Sequence, residues 1–275
     1  MDPVRPIPPP LRPYVAALVA YDVDLGAPGV HVGMPGTTLT VVLPLDEPLD
    51  VGWAGRPASR GARWSTVSGL HTGPAAIHHH GHQRGVQLEL TLAGARALLG
   101  LPAAALAGEL AELEEAVPAL RHLPEQVARA DSTSDAAARV QQALLAALAG
   151  TATPPPRAEV GRALARLTRG ATVQQAADEV GFSRRHLGSL VRAEAGLTPK
   201  SFHRLARFER SHRLLRRRAS GGRRVSLAGI AADAGFADQG HLTREWADLA
   251  GCTPTAWLRE EFPFVQDADG QAAAG

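Results

Sequence analysis

One stretch of sequence occurs twice near the C-terminus of this 275-residue chain. The first copy is Ala176-Ala177-Asp178-Glu179-Val180-Gly181-Phe182, followed by Gly196-Leu197-Thr198-Pro199. The second copy is Ile230-Ala231-Ala232-Asp233-Ala234-Gly235-Phe236, followed by Gly251-Cys252-Thr253-Pro254. The spacing from the Gly-Phe pair to the Thr-Pro pair is longer by a single position in the second copy, so one residue has been added there. Such a repeat predicts two copies of one folding unit.

Local signals predict the structure of each copy. Thr172 with Gln175 is a capping-box pattern that opens a helix, and Gly181 suits its C-terminal end, where a positive φ is needed. Ser183 in the first copy and Asp238 in the second suit the N-cap of the next helix. The two Thr-Pro pairs are an N-cap followed by proline at the first helical position. Each copy is therefore predicted to be a helix-turn-helix unit followed by a helix that starts at proline.

The surrounding sequence extends this helical region and sets its limits. Pro199 to about Arg218 is long enough for a rigid helix of about 30 Å, and residues 157–168 should form a helix ahead of the first copy. We expect residues 157–262 to be all helical, after a stiff proline-rich linker at 151–156 and before a flexible tail at 263–275. Residues 1–150 would form a separate domain.

Charge differs sharply between the two halves. Residues 157–262 carry 19 Arg and Lys against 11 Asp and Glu, whereas residues 1–156 carry 10 against 14. The excess of positive charge in the C-terminal region alone predicts a polyanionic partner for that region, and a tandem helix-turn-helix predicts that this partner is double-stranded DNA.

The second helix of each copy has one apolar face and one polar face. Leu187, Leu190 and Val191 point inward in the first copy; in the second the inward residues are Leu242, Trp246 and Leu249. The opposite faces should read bases, because Arg suits guanine, Gln suits adenine and Thr can touch the thymine methyl group. These residues are Arg185, Gly188, Ser189, Arg192, Gln239, Gly240, Thr243 and Arg244. For phosphate contacts, which position the protein without reading sequence, the candidates are Ser183, Arg184, Thr198, Lys200, Arg204, Arg207, Arg223 and Thr253.

Residues 1–150 predict an antiparallel β domain, a small barrel or sandwich, with flanking helices, which makes the whole chain α+β. Residues 38–45 read as a buried strand and 86–92 alternate apolar and polar residues, as a half-buried strand does. Shorter strands are expected near 49–53, 64–70 and 75–79, and helices over 93–99, 104–113 and 135–148. In the last helix, Val140, Leu144, Leu145 and Leu148 form an apolar stripe that would pack on its own domain or form a dimer seam.

With these residues in view, 157–262 resembles the DNA-binding domain of the AraC/XylS family of bacterial transcription regulators. The segments that carry the resemblance are 177–187, 196–200, Arg207-Phe208 and 234–242. The resemblance implies seven helices, two of which enter successive major-groove segments about one turn apart. It also adds His241 to the base-reading positions, while Ser189 departs from the family pattern, where a long basic residue is frequent; Arg185 or Arg192 would compensate.

Residues 1–150 also resemble the N-terminal domain of a subset of these regulators, in the segments 10–15, 43–49 and 94–100. This implies a domain that senses a small-molecule effector or dimerises, with RNA polymerase and a second copy of the chain as further partners. The expected protein is a cytoplasmic regulator, not an enzyme, without cofactor or metal. The proline-rich N-terminus lacks the apolar core of a signal peptide, and no stretch of about 18 apolar residues exists to span a membrane.

Three alternatives remain. His78, His80 and His82 would share one face of a strand, and imidazoles suit zinc, copper or nickel, so a metal-binding sensor or enzyme domain fused to a DNA-binding domain is one. A DNA-repair protein would need a cluster of reactive cysteines, whereas the chain has only Cys252; this residue either packs or has a pKa lowered by the adjacent helix start. A scaffold protein with a degenerate DNA domain is the third.

Overall fold

The N-terminal half of the chain forms two antiparallel β-sheets in the computed structural model, which describes residues 5–150, 153–221 and 225–262. The strands are β1 (Val15–Asp24), β2 (Gly29–Gly33), β3 (Leu39–Pro44), β4 (Leu49–Trp53), β5 (Gly61–Arg63), β6 (Thr66–Ser68), β7 (Ala75–His79), β8 (His82–Leu90) and β9 (Leu110–Ala111). One sheet has the order β1-β8-β3-β6-β9 and the other β2-β7-β4-β5. This architecture confirms the predicted α+β class.

Strand β8 lies inside the larger sheet and shows the predicted alternation. Val86, Leu88 and Leu90 are buried, while Gln87 and Glu89 between them are half-buried. The strand pairs with β1 on one side and β3 on the other. It ends at Leu90 because Thr91 then caps a helix, its Oγ1 accepting a hydrogen bond from the Gly94 N–H.

The helices divide between the two halves. They are α1 (Leu92–Gly94), which continues as a π-helical turn at Ala95–Leu99, α2 (Leu113–Ala116), α3 (Leu123–Ala128), α4 (Thr133–Gly150), α5 (Ala158–Thr168), α6 (Val173–Glu179), α7 (Arg184–Ala195), α8 (Pro199–Ser220), α9 (Leu227–Ala234), α10 (Gln239–Ala250) and α11 (Pro254–Glu261). Short 3-10 turns lie at Pro9–Leu11, Pro57–Ser59, Ala103–Leu106 and Pro118–Leu120. None of the described helices is long and apolar enough to cross a membrane.

One predicted helix is wrong, and strands β1, β2, β5 and β9 were not predicted. Instead of a helix over 104–113, the chain makes a 3-10 turn at Ala103–Leu106 and then strand β9. The Gly108 N–H donates to the Leu70 carbonyl at 2.9 Å, and β9 pairs with Val67 and Ser68 of β6. Pairing with a distant strand therefore overrides the local helical preference of this Ala- and Leu-rich segment. Strands β1 and β2 precede the first strand that the sequence predicted.

The apolar stripe on α4 packs within its own domain. Val140 and Leu144 are fully buried, and Leu145 is the member of the stripe that is exposed. The helix contacts α3, β1 and β8. Ser132 accepts the Asp135 N–H at 3.1 Å, as its predicted capping role requires. The buried members of the stripe thus pack in the core of the N-terminal domain. Homodimerisation stays a prediction.

The two predicted repeats have the same local structure. The Phe182 N–H donates to the Ala177 carbonyl at 3.0 Å, and the Phe236 N–H donates to the Ala231 carbonyl at 2.8 Å. The intervening glycines have φ angles of +72° at Gly181 and +86° at Gly235, a region that other residues rarely adopt. The added residue is Ala237, which lengthens the second turn by one position before its N-cap.

N-caps confirm the predicted helix starts. Ser183 accepts the His186 N–H at 3.2 Å and Asp238 accepts the His241 N–H at 2.6 Å. Thr198 and Thr253 cap α8 and α11 in the same way. The capping box of Thr172 and Gln175 is also present. The caps of α7 and α10 and those of α8 and α11 are paired between the two units, whereas the capping box occurs in the first unit and α9 of the second begins with a simple Ser226 cap.

The hydrophobic core joins the first unit to the N-terminal domain. One cluster of buried side chains runs from the sheet residues through α4 to Leu187 and Val191 of α7 and Phe202 of α8. A second cluster starts at Phe208 of α8 and contains the second unit, with Trp246 and Trp257. Helix α8 therefore contributes to both cores.

A buried ion pair connects the domains beside the first cluster. The Arg96 Nη2 lies 2.8 Å from Glu194 Oε2, and its Nε donates to both carboxylate oxygens. The Glu194 side chain is only 6% exposed. Because Glu194 lies in the last turn of α7, this pair attaches that helix to the N-terminal domain.

Replacing Arg96 should therefore destabilise the protein strongly. Arg96→Ala leaves a buried carboxylate without its partner and should lower the free energy of unfolding by about 3–5 kcal/mol, measured by urea unfolding. Arg139→Ala, which breaks the half-exposed pair with Asp135, should cost less than about 0.5 kcal/mol. Adding Glu194→Gln to Arg96→Ala should recover part of the loss. Equal costs for the two arginine variants would contradict a stabilising role for the interdomain pair.

His212 is packed among aromatic rings in the second cluster. Its ring lies 4.9 Å from Trp257 and 5.8 Å from Trp246, both edge-on. Burial lowers the pKa of His212 to about 4, and the nearby Arg216 and Arg213 add to this effect. The residue is therefore neutral in the folded protein across the physiological range.

Acid should destabilise this core through His212. The unfolded chain takes up the proton near pH 6.5 and the folded protein only near pH 4, so stability is lost as pH falls through that window. From pH 7.5 to pH 5 the urea-unfolding free energy, followed by tryptophan fluorescence, should fall by about 2 kcal/mol from this residue. His212→Gln should reduce the pH dependence, and some should remain because burial also lowers the pKa of His71 and His203. An unchanged pH dependence in the variant would contradict the assignment.

Candidate nucleic-acid interface

Helices α7 and α10 turn their apolar faces inward, as predicted. Leu187 and Val191 of α7 are 0% exposed, and Leu190 is half-buried. Leu242, Trp246 and Leu249 of α10 are also 0% exposed. The Trp246 Nε1 donates to Ser211 Oγ of α8 at 2.9 Å. This hydrogen bond fixes the rotation of α10 about its own axis relative to α8.

The opposite faces present unpaired cations to solvent. Arg184, Arg185 and Arg192 of α7 and Arg244 of α10 are exposed. None of these four forms an ion pair with another residue of the described part of the chain. The charge on this surface is therefore available to an external anion.

Small and polar residues complete the two faces. Ser189 is exposed and its hydroxyl donates to the Arg185 carbonyl, while Thr243 donates to the Gln239 carbonyl at 3.0 Å. Gln239 and Thr243 are half-buried and Gly240 is exposed. The backbone of Gly188 is covered by its own helix, but a Cβ added there would meet nothing within 4 Å. This glycine therefore leaves room beside α7 for another surface to approach.

The residues predicted to contact phosphate divide into those that solvent can reach and those that already bind other residues of the domain. In the first group, Ser183, Arg184 and Lys200 are exposed, and Thr198 and Thr253 are half-buried at their helix N-caps. Arg223 lies outside the described residues.

Arg204 and Arg207 are instead occupied by contacts between α8 and α10. Arg204 pairs with Glu245 and with Asp248, each at 2.7 Å. Arg207 lies 3.7 Å from the Glu245 carboxylate, and its guanidinium carbon is 4.5 Å from the centre of the Phe236 ring. These contacts position α10 on α8, a role of Arg204 and Arg207 that the sequence did not indicate.

His241 also makes internal contacts. Its ring packs edge-on against Phe236 at 5.3 Å, and His186 packs in the same way against Phe182 at 4.7 Å in the first unit. Its Nδ1 accepts the Ala237 N–H at 3.4 Å. The Phe-His pair recurs at matching places in the two copies, and this recurrence is a signal in the sequence that could have revealed the packing role.

The N-terminal domain lies close to the residues that end α7 and α10. Gly196, which ends α7 with φ of +73°, lies so close to Ala107 that a Cβ would sit 2.2 Å from the alanine Cβ. Gly251, at the matching position after α10, would place a Cβ 3.4 Å from Pro74 Cγ. The long helix is also held, because both the N–H and the hydroxyl of Thr37 donate to Glu209 Oε2, at 3.0 and 2.6 Å.

The histidine segment does not form the single strand face that the metal-binding alternative requires. β7 ends at His79, Gly81 turns the chain with φ of +112°, and β8 of the other sheet begins at His82. His82 instead lies 2.8 Å from Asp22. Across the residues that the structure covers, no group of three or more His, Cys, Asp or Glu side chains is arranged to hold a metal ion. The metal-binding alternative therefore has no support.

Cys252 is half-buried in the second cluster. Burial raises the pKa of its thiol, with a further contribution from Glu260. This favours a packing role over a reactive thiol.

Comparison with known families identifies the C-terminal region. The sequence profile of a family described as a helix-turn-helix domain matches residues 176–260, which include both repeats. This region is an AraC-type helix-turn-helix domain. The resemblance noted from the sequence is thereby confirmed, and the chain carries the DNA-binding domain of a transcription regulator. No curated protein matches the sequence.

Two solved structures of ToxT show a similar fold over most of the chain, and a third solved structure aligns with the C-terminal region alone. ToxT from Vibrio cholerae strain SCE256, crystallised with an unsaturated fatty acid, aligns with 97% of this chain and 100% of its own at 10% identity and a TM-score of 0.53. ToxT from Vibrio cholerae O395 aligns with 88% of this chain and 97% of its own at 9% identity and a TM-score of 0.51. The DNA-binding domain of AdpA, in complex with a target DNA, aligns with 39% of this chain and 96% of its own at 26% identity and a TM-score of 0.33.

Gly188 allows a test of the AraC-type recognition surface that spares the fold. Gly188→Glu adds a side chain in open space and replaces a poor helix former, so thermal stability should not fall. If α7 enters DNA, the added carboxylate should weaken duplex binding by at least about tenfold, measured by fluorescence anisotropy. Gly161→Glu is the matched control, because this exposed α5 glycine also has open space around it. Equal DNA affinity for the two variants would contradict α7 as a DNA-contacting helix.

Proposed function

We propose that this protein is a sequence-specific transcription regulator whose α7 and α10 read two adjacent major-groove segments. The observation that carries the proposal is the equivalent construction of the two helices. Each follows a Gly-Phe turn, begins at a side-chain N-cap and buries an apolar face, and each has arginine on the opposite side with no ion-pair partner among the described residues. An isolated basic helix is often only a solvated surface. Two copies in a basic region, held in one frame by α8, favour joint docking on one side of B-form DNA.

Individual residues have distinct proposed roles. Base contacts are assigned to Arg185, Arg192, Gln239, Thr243 and Arg244, with Gly188, Ser189 and Gly240 allowing close approach. Phosphate contacts are assigned to Ser183, Arg184, Thr198, Lys200 and Thr253, which lie at or near helix N-termini, where backbone N–H groups attract anions. Arg204, Arg207 and His241 position α10, because their side chains are already engaged within the domain.

The N-terminal domain would bias DNA binding through its contacts with both units. Arg96 pairs with Glu194 in the last turn of α7, Thr37 donates to Glu209 of α8, and Pro74 lies close to Gly251 at the end of α10. A change in the N-terminal domain would therefore reach both recognition helices directly. The ToxT structure that aligns with nearly all of this chain contains an unsaturated fatty acid, which supports a small-molecule effector as the signal. Contact with RNA polymerase and homodimerisation are further proposals that follow from the family.

Selection of bound sites from a random duplex library, followed by substitution of Arg244, tests this function. Arg244→Ala should lose about 1–3 kcal/mol of discrimination at one base position of the selected site. Its affinity for random duplex should change less, because that binding rests on phosphate contacts. Arg129→Ala, an exposed arginine of the N-terminal domain, is the control.

Two results would argue against the proposal. Failure to enrich any sequence would exclude sequence-specific reading. An equal loss of affinity for selected and random duplex in Arg244→Ala would exclude base reading by Arg244 and leave it a phosphate contact.

A further inference from the structure

A cavity of about 270 Å³ lies between the N-terminal domain and the first helix-turn-helix unit. On the N-terminal side its wall includes Trp53, Arg56, His71 and Pro74, and on the other side it includes Gly196 and Leu197. Gly196 ends α7 and Leu197 precedes the N-cap of α8. A molecule in this cavity would therefore touch the joint between the first recognition helix and the long helix.

The cavity wall favours a flat ring. The rings of Trp53 and His71 lie together with centroids 4.3 Å apart, and Leu70, Pro74 and Leu197 add apolar surface around them. Burial lowers the pKa of His71, and its Nδ1 is hydrogen-bonded to the Gly73 carbonyl. The imidazole is therefore neutral near pH 7 and forms part of an aromatic surface rather than a second cation.

The charge of the cavity favours an anion. Arg56 is the lining residue with a formal charge at neutral pH, and the lining set contains no Asp or Glu. Arg56 is exposed, and within 5–150, 153–221 and 225–262 no ion pair involves it. A guanidinium group binds a carboxylate through two parallel hydrogen bonds. The volume lies just below the range of about 300–1,000 Å³ that is usual for ligand sites, which restricts the ligand to one or two rings.

We propose that this cavity binds a small aromatic carboxylate, with the ring against Trp53 and the carboxylate on Arg56, and that its occupancy changes DNA affinity. The regulatory part rests on the proposed function. The structure gives it a route, because the segment that carries His71 and Pro74 lies near both helix ends. The cavity wall includes Gly196, and a side chain added at Gly251 would come within 3.4 Å of Pro74 Cγ. A ligand that displaces this segment would act on both recognition helices at equivalent points.

Calorimetric titration of the full chain tests the site. The probes are benzoate, phenylacetate and indole-3-acetate, each with its uncharged amide for comparison. At least one acid should bind, and more tightly than its amide. Arg56→Gln should weaken that binding by about tenfold or more, since a charged hydrogen-bonding partner is lost. Thr72→Trp, which fills the cavity from an exposed lining position, should abolish it. Arg121→Gln, an exposed arginine remote from the lining set, should bind as wild type.

Three results would overturn the site. They are no binding of any acid up to millimolar concentration, equal binding of acid and amide, and binding that survives both Arg56→Gln and Thr72→Trp. Circular dichroism spectra and melting temperatures of both variants would show that they are folded. These measurements need no DNA, so they stand even if the protein proves not to bind a duplex.

The regulatory part is tested separately with the selected duplex. Saturating acid should shift the midpoint of DNA binding in the wild type and in Arg121→Gln, and should leave Thr72→Trp unchanged. Binding of the acid without any shift in the wild type would overturn the regulatory part. Absence of duplex binding by the unliganded and liganded wild type alike would instead count against the proposed function.

Discussion

Helix α8 is the constraint on which the arrangement of the two helix-turn-helix units depends. It runs without interruption for 22 residues, a length of about 33 Å at 1.5 Å per residue. Its Phe202 belongs to the core of the first unit and its Phe208 to that of the second. Neither unit can rotate against the other without bending this helix or opening one core. The distance between α7 and α10 is therefore fixed by the fold. Under the proposed function, the two half-sites of a bound DNA sequence would have to match this distance.

The pairing of charges distinguishes two uses of arginine in this domain. Several arginines on α8 are turned towards α10 or neighbouring carbonyls: Arg204 and Arg207 share Glu245, and Arg210 donates to the Thr168 carbonyl. Arginines on the outer faces of α7 and α10 have no such partners among the residues that the structure describes. The paired arginines of α8 hold α8 and its neighbours together. The unpaired arginines of α7 and α10 leave positive charge on the surface, and a bound polyanion would relieve the repulsion between them. In the sequence, arginine recurs at every third position at Arg204, Arg207, Arg210 and Arg213. This pattern cannot separate the two uses, because an acidic partner such as Glu245 comes from another helix.

Local signals explain why the C-terminal domain was predictable and much of the rest was not. Caps, turn glycines and Thr-Pro pairs lie within a few residues of what they determine, and they placed the starts of α6, α7, α8, α10 and α11. Strand β1 mixes valines with three alanines, which are depleted in strands, and it pairs along its length with β8, a partner more than 60 positions away in sequence at its start. The pairs Arg96–Glu194 and Thr37–Glu209 join residues 98 and 172 positions apart. No single-sequence pattern indicates such contacts.

The N-terminal domain lies close to α7 and α10 at the ends away from the proposed base contacts. The residues proposed to reach bases begin in the first turn of each helix, at Arg185 and Gln239, whereas the N-terminal domain lies near Gly196 and Gly251, after the last turn. Each helix has 12 residues, about 18 Å of rigid rod. A small tilt imposed at the C-terminal end would therefore move the opposite end, which carries the proposed base contacts, by a comparable or larger distance. Under the proposed function, such an arrangement would let one domain alter DNA affinity without covering the surface that binds DNA.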